Sequence, residues 1–209
     1  MSLKKSSKQI TGIVGGQIVP ATDTPLLSSA SSPWAGFLLE KQTGDGQQDV
    51  FWGWHRTHVC LMTKGQLSFR IRLPRGDQDF VWGAGSVCVF PSGFDETFFS
   101  NTGSKFEAIV VELDPARLEA LVGNPMAAAT GTLVPQIVVR DRYIAMLLRA
   151  MSSEIGQGCT GGPLYAQALD LALATHLPVF GGDARRRESL VGFKKKPRRG
   201  GRASGLNLG

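Results

Sequence analysis

Three histidines, three cysteines and scattered carboxylates are the residues of this 209-residue chain most able to carry chemistry. His58 follows an aromatic pair, Trp52 and Trp54, in "VFWGWHRTHVC", and Glu96 closes a stretch punctuated by glycine and proline, "AGSVCVFPSGFDETFF". A divalent cation needs three or four nitrogen, oxygen or sulfur ligands converging at about 2.0–2.3 Å. His58 and Glu96 alone make an incomplete set, and indole rings add nothing to it. The expectation is therefore no metal and no cofactor. Cys60, Cys88 and Cys159 have no metal-type spacing to one another. Their odd number and apolar or loop contexts point to free thiols in a reducing cytoplasm. No Ser-His-Asp or Cys-His arrangement has a recognisable context. Gly161-Gly162 precedes a helical pattern but lacks the lysine and the length of a phosphate loop. His55 has the opposite strand parity to Trp54 and His58, so it is expected to face outward. His176 falls at the end of the last helical pattern, where a cation suits the dipole. His58 and Glu96 could supply an acid–base pair, provided that the fold brings them together.

The elements that must position these residues follow from periodicity. Residues 1–32 are rich in Ser, Thr, Gly and Pro without a period, and are expected to be disordered. From residue 33 to Leu113 the pattern is β. "THVCLMTKGQLSFRIRL" predicts a hairpin turning at Lys64-Gly65, with Leu67, Phe69, Ile71 and Leu73 alternating with polar residues. "SVCVF" is nearly all apolar, which predicts a strand covered on both faces. Short strands with glycine-rich turns argue for a sandwich or barrel. Residues 114–177 are helical in pattern. Asp114 and Pro115 start one helix, and Asp141 caps a second whose face carries Ile144, Leu147, Leu148, Met151 and Ile155. A third starts at Pro163, with Leu164, Ala168, Leu171, Ala172 and Thr175 on one stripe. The last two, joined by "CTGG", form an antiparallel hairpin.

The net charge of +6 is unevenly placed. Residues 178–209 hold nine Lys or Arg and two acids, a charge of +7, so the other 177 residues, with 14 bases and 15 acids, stand at −1. The basic character belongs to a tail expected to be disordered, and the near-neutral body gives no nucleic-acid signal. The runs "RRR" and "KKKPRR" are either a solvated tail or a salt-sensitive contact for an acidic surface. No apolar run is long enough to span a bilayer and the N-terminus lacks a signal-peptide pattern, so a cytoplasmic protein without membrane contact is expected.

The spacing of glycines and proline resembles the two motifs of the cupin family. Gly46 is followed by five residues, Trp52-Gly53-Trp54, three residues, His58, six residues and Gly65; Gly85 is followed by five residues, Pro91-x-Gly93, two residues and Glu96, with Asn101 one place late. The resemblance places Trp52, Trp54, His58 and Glu96 where cupins carry metal ligands. The frame is kept and most of the ligands are not, which leaves the barrel interior able to hold an organic molecule. Trp52 and Trp54 either line such a pocket or fill the core. The fold expected is α+β: a cupin-like antiparallel β-barrel (double-stranded β-helix) followed by an antiparallel helical hairpin.

A longer likeness runs through "HRTHVCLMTKGQLSFRIR", "AGSVCVFPSGFDETFF", "FEAIVVELDPARLEAL" and the segment from Leu133 to Leu177. These resemble the N-terminal half of AraC-type bacterial transcription regulators, in which a cupin barrel binds an effector and helices dimerise. The resemblance implies four parts: a disordered 1–32, a barrel over 33–113, a helical dimerisation segment over 114–177 and a basic disordered tail over 178–209. It implies a non-enzymatic sensor of an unknown small molecule. Trp52, Trp54, His58, Met62, Arg70, Phe90 and Glu96 are its candidate ligand-lining residues. A homodimer is expected around Leu147, Leu148 and Leu171. After Leu177 the family continues into a helix-turn-helix DNA-binding domain, whereas these last 32 residues show no such pattern. The expectation is a regulator truncated before its DNA reader, with no specific DNA binding of its own and DNA contact left to full-length relatives. The alternatives are a stand-alone small cupin enzyme, of isomerase or dioxygenase type, or a small-molecule-binding protein.

Overall fold

The computed structural model describes residues 9–34, 37–45, 50–73, 76–99, 104–113, 133 and 135–177, the side chains of residues 73 and 95–99 aside. The helix expected from Asp114 and the basic tail lie outside the described residues. The strands are β1 (Thr11–Val14), β2 (Gln17–Pro20), β3 (Leu27–Ser28), β4 (Phe37–Gly44), β5 (Val50–Trp54), β6 (Thr57–Leu73), β7 (Gly76–Gly83), β8 (Val87–Phe90), β9 (Phe94–Phe99), β10 (Phe106–Leu113) and β11 (Gln136–Val139). Two helices follow, α1 (Arg142–Gly156) and α2 (Gly162–His176). This is the expected cupin-type antiparallel barrel followed by a helical hairpin.

One strand organises the whole sheet. The first half of β6 pairs with β10 and with β8. Its second half pairs with β7 and with β9. The hairpin expected at Lys64-Gly65 is not there, because the chain runs straight through as β6. Gly65 takes a positive φ of 71°, and a Cβ there would collide with the Lys105 carbonyl oxygen. The register against β10 slips between Glu107 and Ala108. The Lys-Gly signal therefore marks a bulge that bends β6 from one sheet into the other. The hairpin lies one strand later, between β6 and β7.

The N-terminal segment also departs from expectation. Within residues 9–34, β1 pairs with β2 and touches β5 at Ile13↔Gly53, while β3 pairs with β4. Ile10 is fully buried. The turn at Gly15 and Gly16, both at positive φ, is what the composition signalled, and the short strands around it carry too few apolar residues to announce themselves.

Two apolar clusters lie on opposite faces of the first sheet. Leu39, Val59, Leu61, Val87, Val89, Ile109 and Val111 face the helices and pack on Ile144, Leu148, Met151 and Ile155 of α1 and on Ala166, Leu169 and Leu173 of α2. The alternate residues Cys60, Met62, Cys88, Phe90, Ala108 and Val110 face the barrel interior, with Trp52, Trp54, Phe69 and Trp82. Val87–Phe90 is buried throughout, as the apolar run predicts. Asp141 caps α1 by accepting from the backbone N–H groups of Tyr143 (2.9 Å) and Ile144 (3.0 Å).

On α2 the stripe read from the sequence, which is to be covered by the barrel, a partner chain or both, is the outer one. Leu164 is 81% exposed and Leu171 44%, and Ala168, Ala172 and Thr175 are also exposed; Ala166, Leu169, Asp170, Leu173 and Ala174 are the buried residues. This helix is apolar nearly all round, so periodicity alone could not choose its inner face.

Candidate ligand site

The interior face of three adjacent strands carries the polar groups of the site. Glu40 on β4, Glu112 on β10 and His58 on β6 share one parity with the interior-facing Cys60, Met62, Ala108 and Val110. Glu112 sits directly opposite His58, and Glu40 opposite Val110, one diagonal step away. All three are buried, His58 and Glu40 completely.

Each group is held from a known side. The His58 Nδ1–H donates to the Arg56 carbonyl oxygen at 2.8 Å, since a carbonyl can only accept. That leaves Nε2 aimed at Glu112 Oε2, 3.3 Å away. The other Glu112 oxygen accepts from the Arg56 guanidinium at 2.9 Å. Burial pushes the Glu112 carboxyl up. The His58 contact, then the charges of Arg56 and His55, outweigh that effect and leave it below the ordinary carboxylate range. Glu40 has acceptor bonds only, from the Ile10 backbone N–H at 3.1 Å and the Gln42 amide at 2.9 Å. Burial dominates there, and the Glu40 carboxyl is raised.

Aromatic rings close the site. Trp54 stacks on Phe90 with centroids 4.9 Å apart and planes 11° from parallel, and its ring lies 4.6 Å from the His58 ring and 5.8 Å from Trp52. The Trp52 ring is seated against Gly12 of β1, where any Cβ would collide with it. Both indole N–H groups are buried without a hydrogen-bond partner, and so are His58 Nε2 and Glu112 Oε2, which face each other without bonding geometry. An unmade bond at a buried polar atom costs about 1–3 kcal/mol. Several such atoms in one small region are what a polar ligand or water would satisfy.

The candidate residues divide clearly. Trp52, Trp54, His58, Met62 and Phe90 come together in the interior. Arg70 does not: it is exposed on the outer face of the β6–β7 hairpin, bonded to Asp79 at 2.7 Å, because its neighbours Phe69 and Ile71 take the inward parity. Glu96 falls in β9, and its side chain lies outside the described residues. His55, expected to face out, is half-buried and approaches Thr11 Oγ1 at 3.4 Å. Glu40, Gln42, Arg56 and Glu112 were missed. The signal for Glu112 was available, since in "FEAIVVEL" it shares the parity of Ala108 and Val110, a charged residue on an apolar face. Of the three residues expected at a dimer contact, Leu148 is fully buried within the chain, Leu147 is half-buried and Leu171 is exposed.

The strand order and register define a cupin-type barrel. No protein-family model matches the chain. No curated protein matches it. Among solved structures it is similar to the EutQ protein of Clostridium difficile (16% identity, 43% of this chain and 64% of that chain, TM-score 0.34). It is also similar to the EutQ ethanolamine utilization protein of Salmonella typhimurium (18%, 38% and 58%, 0.32) and to the oxalate decarboxylase of Bacillus subtilis (17%, 38% and 21%, 0.31). The chain thus spans less than two thirds of each of these proteins. The likenesses are partial and low in identity, and what those proteins act on stays with them. Among the described residues, no helix is long and apolar enough to cross a membrane.

Proposed function

We propose that this chain is the effector-sensing and dimerisation module of an AraC-type transcription regulator, working in the cytoplasm and without an enzymatic reaction of its own. The observation that carries the reading is the pair Trp52 and Trp54. At two positions where the cupin frame has metal ligands, the chain places buried indole rings whose N–H groups have no partner. Such groups offer hydrogen-bond donors to an organic ligand and nothing to a cation. The outward apolar face of α2, with Leu164, Leu171 and the alanines between them, supports the second half of the reading, a symmetric contact between two copies. DNA recognition is assigned to the helix-turn-helix domain of full-length relatives. The test is a thermal-shift screen across metabolite classes, since a ligand of the folded state raises the melting temperature by linkage. Trp54→Phe keeps a ring and removes one donor, and is expected to weaken the hit about 2- to 10-fold, the worth of one hydrogen bond. A hit unaffected by Trp54→Phe and Trp52→Phe alike would overturn the site.

A second reading, a small cupin enzyme of isomerase or dioxygenase type, is favoured by one observation, the buried His58–Glu112 pair at 3.3 Å. An imidazole nitrogen facing a carboxylate oxygen in a buried site is the kind of pairing that acid–base catalysis uses. Stoichiometric Fe, Mn, Zn or Ni in purified protein, or turnover abolished by Glu112→Gln, would select it over the sensor.

A further inference from the structure

Cys60 on β6 and Cys88 on β8 are direct partners across the antiparallel ladder. Both thiols are free, fully buried and turned to the barrel interior. Met62, two residues along β6, shares that face. The type of ladder pair decides what two such sulfurs can do. Met62 N donates to Ser86 O at 3.1 Å, and the hydrogen-bonded type recurs two residues on, at Cys60↔Cys88. Cβ atoms in such a pair stand about 5.5 Å apart. A disulfide needs about 3.5–4.5 Å, so this pair is too wide to close one without moving a strand. Two sulfurs each about 2.3 Å from a shared ion are separated by up to about 4.6 Å, which the pair can span.

The surroundings point the same way. Val138 on β11 has a φ of 52°, a left-handed conformation that a β-branched residue takes only when its neighbours hold it there. In that conformation its backbone N–H donates to Cys88 Sγ at 3.3 Å, a bond that favours the thiolate. Burial works against ionisation and pushes the Cys88 thiol up to about 12, and the Cys60 thiol is raised as well. Only a cation that binds sulfur strongly enough to displace protons can load such a pair. Among the described residues no third His, Cys, Asp or Glu joins the pair in a metal-holding group, so four-coordinate ions lack donors and hard ions lack oxygen ligands.

We propose that Cys60 and Cys88, with Met62 beside them, form a binding site for a soft, low-coordinate d10 cation of the Hg(II) type. Loading forms two metal–sulfur bonds and releases two thiol protons. Two thiolates and one divalent ion are neutral, so no net charge is buried. Nothing in the sequence signals the pair, since the two cysteines are 28 positions apart and meet only through strand register. The inference is independent of the effector reading.

The test uses the full chain with Cys159→Ser, which removes the third, half-buried thiol. Hg(II) is added to native protein and, in parallel, during refolding, because a buried pair loads only when the barrel opens. The expected result is one Hg(II) per chain, two protons released, a new sulfur-to-metal charge-transfer absorption and a raised melting temperature. Cys60→Ala and Cys88→Ala are each expected to lose the two-proton release, and an equal concentration of Zn(II) to leave the parent unchanged. Independent loading of one ion per thiol, no uptake by either route, or equal uptake of Zn(II) would overturn the proposal. If an alanine variant fails to fold, the proton count on the parent decides alone.

Discussion

Glu40 and Glu112 lie one diagonal step apart on the same face, and burial and neighbours push them in opposite directions. Glu112 has its carboxyl lowered, so it contributes stability above the unfolded value near 4.5 that is lost as pH falls through its folded value. Glu40 has its carboxyl raised, so its contribution is complete below 4.5 and declines as pH climbs through its folded value. Stability is thus expected to fall on both sides of the ordinary value of 4.5, and Glu40→Gln should flatten the limb above it while leaving the limb below it in place. Urea melts run from well below 4.5 up to neutral pH and beyond check this; an unchanged slope above 4.5 would remove Glu40 from the account. Glu112→Gln should do the reverse, flattening the acid limb. Glu112 was within reach of the sequence, since strand parity sets it with Ala108 and Val110; Glu40, between Leu38 and Gln42, carries a weaker signal. Their pairing was out of reach, because which strand lies beside which follows from register across the barrel, and only Glu112↔His58 in the folded sheet reveals it.

The elements were legible where local chemistry settles them and obscure where tertiary contact does. Asp141 was read as a cap, and it is one; Asp141→Ala is expected to lower stability by about 1 kcal/mol, measured by denaturant midpoint. Leu148 was read on the right face of α1, where Leu148→Ala should cost about 2–5 kcal/mol, seen in the same melts. Its helix shows an amphipathic pattern with a capped start, which makes both features legible. Lys64-Gly65 misled, since a glycine at positive φ serves a turn and a bulge equally well. The difference lies in what approaches it, here the Lys105 carbonyl, a residue 40 positions away. On α2 the sequence does not settle which face packs on the barrel: with leucine and alanine on both faces, only the fold decides.

At the scale of the whole molecule that uncovered stripe leads to a test of assembly. Leu148 belongs to the chain's own core, so its replacement by a charge reports on folding. Leu171→Glu and Leu164→Glu change only the outer face. The expected outcome in sedimentation at micromolar concentration is a dimer for the parent and a monomer, equally well folded, for either variant; a parent that sediments as a monomer would rule the contact out. The shared strand β6 has a consequence of its own. Its even-numbered residues His58, Cys60 and Met62 line the interior, its odd-numbered Val59 and Leu61 support α1, and its far half anchors the second sheet. No part of the barrel can let go of β6 without releasing the rest, so its amides should behave as a single clock. In hydrogen–deuterium exchange they are expected to be the slowest of the chain and to share one rate, set by global opening, while β2 and β3 at the margins exchange long before.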